Sequence, residues 1–319
     1  MFARGYLAVD FFFVLSGFVL THAYYGRLSR RKISLSQFYR ARLIRLLPLI
    51  VLGTLIAAVI ESERPGVTDQ AQHGIDTIAA FIMGSLILPI WWTTTLENVI
   101  FPLNGPVWSL FFEVFINLVA APLSYIRRPA YLIFPAIAIS AFFLVWAGEK
   151  FGNLNLGFTV ESFWYGFARV TYSFFVGVAL YFFRNRAPAI PLPICTLVLA
   201  GILAAPVWSG IGSSLFEIIA VLIVFPLIVL GASAANPGNV ARRICLLSGE
   251  ISYPIYALHY PLVRALGLVS RRYNFDSLTT YLFVACGTVF ICIFSGIVHH
   301  FYDVKIRRFL QARAQREFR

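Results

Sequence analysis

The chain has 319 residues, 59% of them hydrophobic and 13% charged, with a formal net charge of +12 and a mean hydropathy of +0.79. Soluble domains carry roughly 25% charged residues, so this composition excludes an ordinary soluble protein and requires a membrane protein. The positive charge is split into short clusters between apolar runs, which is how cytoplasmic membrane flanks look, and it leaves no separate basic face for nucleic acid.

In chain order the apolar runs fall near 5–25, 46–60, 77–92, 107–125, 130–147, 164–183, 189–207, 215–234, 250–269 and 278–300. Each is about the length of a helix crossing the hydrocarbon core, and none shows the alternating polarity of a transmembrane barrel. The expectation is an all-α polytopic transmembrane helical bundle of about nine to ten spans, forming one domain over 1–319. The basic loop 27–45 reads as cytoplasmic and the acidic loop with Glu61, Glu63, Asp69 and Asp76 as external. Simple alternation from there puts Arg127/Arg128, Arg184/Arg186, Arg242/Arg243 and the basic tail on the wrong side. A re-entrant segment over 77–106, rich in Pro89, Pro102, Asn104, Gly105 and Pro106, returns all of them to the cytoplasm and leaves Arg271/Arg272 as the exception.

Asp10 lies inside the first apolar run, six residues before Ser16-Gly17. Charge in lipid is costly, so it reads either as a headgroup-level carboxylate bonded to a neighbouring helix or as a group facing an interior site. Arg42 and Arg45 are i and i+3 on the helix entering the second run. They are either an ordinary cytoplasmic flank or a pair of forks for phosphate. Trp108 and Ser109 open another run, with Glu113 one turn on from Ser109. Such a carboxylate must be protonated or paired, and Arg169 is its candidate partner by type. Ser252, Tyr256 and His259 fall at i, i+4 and i+7 in a stretch that contains Pro254 and Pro261, with Tyr253 beside them. His22, His299 and His300 read as interfacial, and Glu217 reads as a group that could pair inside the bundle, with no further role assigned to it. Cys195, Cys245, Cys286 and Cys292 have no metal or redox spacing, and no metal site is expected. Nucleotide-binding Gly loops, HExxH and GxSxG are absent from the sequence.

Five of these pieces resemble, in order, the motifs of the membrane acyltransferase-3 family, the bacterial O-acyltransferases of surface glycans. Gly5 to Phe18 is similar to the family's G-x-x-x-V-D-x-F-F-V-L-S-G-F, and Phe38 to Pro48 carries its R-x-x-R. Trp108-Ser109-Leu110 with Glu113, Arg169 to Gly177 and Ile251 to Pro261 follow. The resemblance implies acyl-CoA, usually acetyl-CoA, as co-substrate, with no permanently bound cofactor. It implies a carbohydrate or lipid-linked glycan hydroxyl as acceptor, and a multi-pass position in the bacterial inner membrane. Under it Arg42 and Arg45 bind CoA phosphates or help place the thioester. Glu113, Asp10 and His259 are the candidate catalytic groups, and Ser16, Trp108, Ser109, Arg169, Ser252, Tyr253 and Tyr256 shape the site.

The sequence departs from the family at two places. The family's proposed catalytic His, with an Arg upstream, lies on a helix before the D-x-F-F-V-L-S-G-F helix, so the expectation here is a chain lacking that first helix. Tyr302-Asp303-Val304-Lys305 stands where the family usually has an acidic residue followed closely by Pro. The competing expectations are an inactive truncated homologue and a transporter or flippase of lipid-linked sugar.

Overall fold

A computed structural model describes residues 3–64, 66–208, 210–273 and 275–316. The described residues form ten continuous helical segments and no strand. They are α1 (Gly5–Ser29), α2 (Leu35–Ser62), α3 (Gln70–Ser85), α4 (Val107–Leu123) and α5 (Ala130–Phe151). After them come α6 (Phe163–Arg186), α7 (Leu192–Ala204), α8 (Ile211–Ser233) and α9 (Asn239–Tyr273). Last is α10, which opens as Ser277–Val298 and runs through a π turn at His299–Asp303 into Val304–Arg316.

Six of these helices (α1, α2, α5, α6, α8 and α10) are long and apolar enough to cross a membrane, and α4 and α7 are shorter apolar helices. Helix α9 is long enough at 35 residues, but its polar stripe and arginines dilute its apolar character. Large side chains such as Phe142 (68% exposed) and Ile211 (82% exposed) point outward from these helices. That is an arrangement lipid tolerates and water does not. The protein is a multi-pass integral membrane protein.

Local chemistry sets the helix ends. Asp69 caps α3 by accepting from the Gln72 N–H at 2.9 Å, and Asp276 caps α10 by accepting from the Thr279 N–H at 3.2 Å. Gly152 stops α5 in the left-handed region at φ 73°. The apolar run expected at 77–92 is helical only to Ser85, and the backbone is then irregular up to Val107. Ile90 and Ile100 close this segment through an N–H···O bond of 3.0 Å, and Ile100, Phe101, Leu103 and Asn104 are buried. Irregular backbone is tolerated at membrane depth where protein covers it, as it does at Ile100, Phe101, Leu103 and Asn104.

The chain groups into two compact units, Met1–Phe38 with Phe112–Val240 and Tyr39–Phe111 with Ala241–Arg319. In the first, the core is Leu7, Leu144, Leu154, Tyr172, Val221 and Phe225. The second has one cluster at Leu49, Ala257, Leu258, Leu262 and Ile291, and another at Ala57, Ala80, Ile90 and Leu103.

Candidate functional site

In the first unit, α1 and α6 run parallel with their backbones in contact. A Cβ on Gly17 would strike the Phe174 carbonyl, and one on Gly177 would strike the Val14 carbonyl. Small residues permit this approach, the usual basis of tight helix pairs in lipid. One to two turns nearer the start of both helices, Arg169 forks onto Asp10, with Nε to Oδ1 at 3.1 Å and Nη2 to Oδ2 at 2.6 Å. Its remaining N–H groups reach the carbonyls of Leu156 (2.6 Å) and Tyr6 (3.2 Å).

Both side chains are fully buried. A bidentate pair with its spare protons satisfied is the form in which charge survives burial. Asp10, expected as a candidate catalytic carboxylate, has both its oxygens held by Arg169. The guanidinium expected at Glu113 is the one forked onto Asp10. Glu113 is half-buried and accepts a hydrogen bond from the Ser16 hydroxyl at 3.0 Å.

A second buried pair in this unit joins Arg4 to Glu217. Arg4 also donates to Ser213 Oγ at 2.9 Å and to the Pro206 carbonyl, and its guanidinium lies over Trp208 at 4.5 Å. Glu217 accepts further from Tyr6 OH at 2.6 Å and the Leu154 N–H at 2.7 Å. Both oxygens of Glu217 are engaged, and the cluster anchors the start of α1.

The second unit carries the rest. Within α9, Pro261 has no N–H to give the carbonyl of Ala257 four residues earlier. The Asn104 amide supplies that bond at 3.0 Å, and Gly53 of α2 lets the two helices close around it. Sequence reasoning did not single out Asn104 for this role, although a proline four residues after an alanine is a readable sign of a freed carbonyl.

Beside it, Ser109 Oγ and Tyr256 OH are 2.5 Å apart, and both reach the Pro106 carbonyl, at 3.1 and 3.0 Å. His259 Nδ1 faces the carbonyls of Tyr256 (2.8 Å) and Ile255 (3.1 Å). Both are acceptors, so Nδ1 carries the proton and the neutral ring keeps its lone pair on Nε2. Trp108 and Ser109 are buried, while Tyr256 and His259 are half-buried. Ser252 is exposed and bonds the Gly249 carbonyl of its own helix, so the expected stripe narrows to Tyr256 and His259.

Tyr253 OH reaches the Leu46 carbonyl of α2 at 2.5 Å, one residue from Arg45. Arg42 is buried and Arg45, three residues on, is exposed. At the other end of α2, Glu61 is buried between Arg264 (2.5 Å) and Arg64 (3.0 Å), and His73 reaches its main-chain carbonyl at 3.1 Å. Nearby Asp76 accepts from the N–H groups of Thr94 and Thr95, the Thr95 hydroxyl and the Gln72 amide. Burial alone would raise the Asp76 carboxyl, but these hydrogen bonds, led by Thr95, outweigh it and hold it down at about 2.

No group of three or more His, Cys, Asp or Glu side chains able to hold a metal occurs among the described residues. No solved structure matches the chain. A curated relative, protein 2 in the picA locus of Rhizobium radiobacter, is 41% identical over 127 residues, which is 37% of this chain and 66% of that protein. The acyltransferase domain of the acyltransferase-3 type matches residues 1–297, nearly the whole length. The chain belongs to the acyltransferase-3 family.

Proposed function

We propose that this protein moves an acyl group, acetyl in the simplest case, from cytoplasmic acyl-CoA to a hydroxyl of a saccharide destined for the cell surface, in a bacterial inner membrane. The observation that carries this reading is the burial of Arg42 one turn from exposed Arg45. An ordinary cytoplasmic flank leaves its guanidiniums in water, whereas Arg42 is drawn inside the second unit beside the exposed Arg45. Here Arg45 meets the phosphates of the donor, and Arg42 helps place the thioester.

The chemistry is an attack of the acceptor oxygen on the thioester carbonyl carbon. The C–S bond breaks, CoA leaves as its thiol, and a base carries the proton from the hydroxyl to the sulfur. The hydroxyls of Ser109 and Tyr256 and the Nε2 lone pair of His259 form a hydrogen-bonding surface for the acceptor's hydroxyls. Asp10 and Arg169 hold the first unit together and take no part in proton transfer.

The test is transfer of label from [14C]acetyl-CoA to cell-envelope saccharide by the purified chain in nanodiscs. R45Q should raise KM for acetyl-CoA and R42Q should lower kcat, each by about tenfold. Undiminished transfer by the R42Q/R45Q double variant would remove the basis of the proposal.

A further inference from the structure

We propose that α5 and α6 hold one chain of an anionic phospholipid between them, with the phosphate of that lipid at Lys150. A cavity of about 540 Å³ opens between the two helices, from Ala136 of α5 and Thr171 of α6 at one end to Trp146 and Trp164 at the other. Its size is that of a site for a small molecule. Its lining is almost wholly apolar, with Phe143 and Phe167 on its walls and Ala136 and Ala168 leaving the room. Ser140 is the polar group on the α5 wall, and its hydroxyl already donates to the carbonyls of Ala136 (2.6 Å) and Ile137 (3.1 Å). That wall asks no hydrogen bond of an occupant.

The length of the groove decides what fits it. Helix α5 has 22 residues, about 33 Å of helix, enough to cross the hydrocarbon core. Ala136 stands ten residues before Trp146, which is about 15 Å along the axis. That is half of a core about 30 Å thick, the depth of one leaflet. A lipid chain fills one leaflet, whereas a packed transmembrane helix would need a groove along the whole span.

The mouth carries the groups that meet a headgroup. Trp146 and Trp164 are exposed, and Trp146 stacks on Tyr165 with centroids 5.9 Å apart. Trp and Tyr concentrate at the level where acyl chains give way to headgroups. One turn beyond Trp146, Lys150 holds its ammonium over the Trp146 ring at 4.8 Å. Lys150 is exposed, meets the rings of Trp146 and Phe151, and forms no ion pair among the described residues, Glu149 and Glu161 included. A lysine so placed runs its stem along apolar surface and lifts its charge to the phosphate level. A phosphate there pairs with the cation while its chain covers Phe143 and the faces of the two tryptophans. The mouth opens on the leaflet opposite Arg127 and Arg128, which precede α5.

The test is native mass spectrometry of the detergent-purified chain titrated with phosphatidylglycerol, with phosphatidylcholine as the comparison that carries no net charge. The wild type should retain one phosphatidylglycerol more tightly than any further copy and more tightly than phosphatidylcholine. K150Q should weaken that first site about fivefold, the effect of one lysine at a membrane surface. R128Q, at the other end of α5, should leave it unchanged. A136F and A168F fill the groove and should each weaken the site about tenfold or more. Size exclusion checks the folding of each variant, and K150Q, a surface change, carries the test should neither groove variant fold. Wild-type affinity in a folded A136F or A168F overturns the groove as the site. Equal affinity for the two lipids, or no loss in K150Q, overturns the phosphate at Lys150. A dimer retaining no lipid would give the groove to a second copy of the chain and overturn the proposal as well. None of these outcomes bears on acyl transfer, which the labelled-donor assay reads by itself.

Discussion

Arg169 holds Asp10 by two hydrogen bonds of 3.1 and 2.6 Å, with neither side chain exposed. The pair fastens α6 to α1 where Gly17 and Gly177 bring the two backbones into contact. Removing one partner strands a buried charge, so R169M should destabilise the protein by about 3–5 kcal/mol. The double variant D10L/R169M should recover part of that loss. Thermal unfolding in nanodiscs measures both, and a double variant as unstable as the sum of the singles would contradict the account.

The glycine contacts give a separate expectation. Gly17→Ala and Gly177→Ala each drive a methyl group into a backbone carbonyl, which no rotamer change relieves. Each should cost about 1–3 kcal/mol. Gly249→Ala, where nothing lies within reach of the new methyl, should be neutral in the same unfolding measurement.

Ser109 and Tyr256 share one hydrogen-bonded cluster with the Pro106 carbonyl. S109A and Y256F should therefore be non-additive, with a coupling of about 1 kcal/mol or more in a double-mutant cycle on kcat/KM. Additive losses would mean that the two hydroxyls act independently.

Asp76 ties the pH dependence of stability to the Glu61 end of the second unit. Its carboxyl sits at about 2 in the folded protein against an ordinary 3.8, so the folded state binds its proton less readily than the unfolded chain. Its stabilisation is present above about pH 4 and is lost as pH falls through about 2. D76N should destabilise the protein by about 2 kcal/mol at neutral pH. That difference from wild type should shrink towards zero between pH 4 and pH 2 in unfolding scans. A constant difference across this range would contradict the assignment.

Hydropathy made the helices legible because a spanning segment needs about 20 apolar residues whatever it packs against. The sequence also marked Asp10, Glu113, Arg169, Tyr256 and His259 as too polar for lipid without a reason. It did not reveal who pairs with whom. Arg169 suits Glu113 by type, but the pairing with Asp10 follows from the parallel contact of α1 and α6, which involves residues 159 positions apart. Arg4 looks like a misplaced surface charge until Glu217, 213 residues away, is brought to it. His299 reads as interfacial because the Asp303 bond that orients it depends on the widened turn and on burial of the carboxylate.

The most direct test of the central claim uses sealed vesicles containing the chain, with [14C]acetyl-CoA restricted to the cytoplasmic face. The account predicts base-labile acetyl ester on the envelope saccharide, dependent on Arg42 and Arg45. Passage of unmodified saccharide across the membrane with no acyl donor present, and no ester formed when the donor is added, would contradict it.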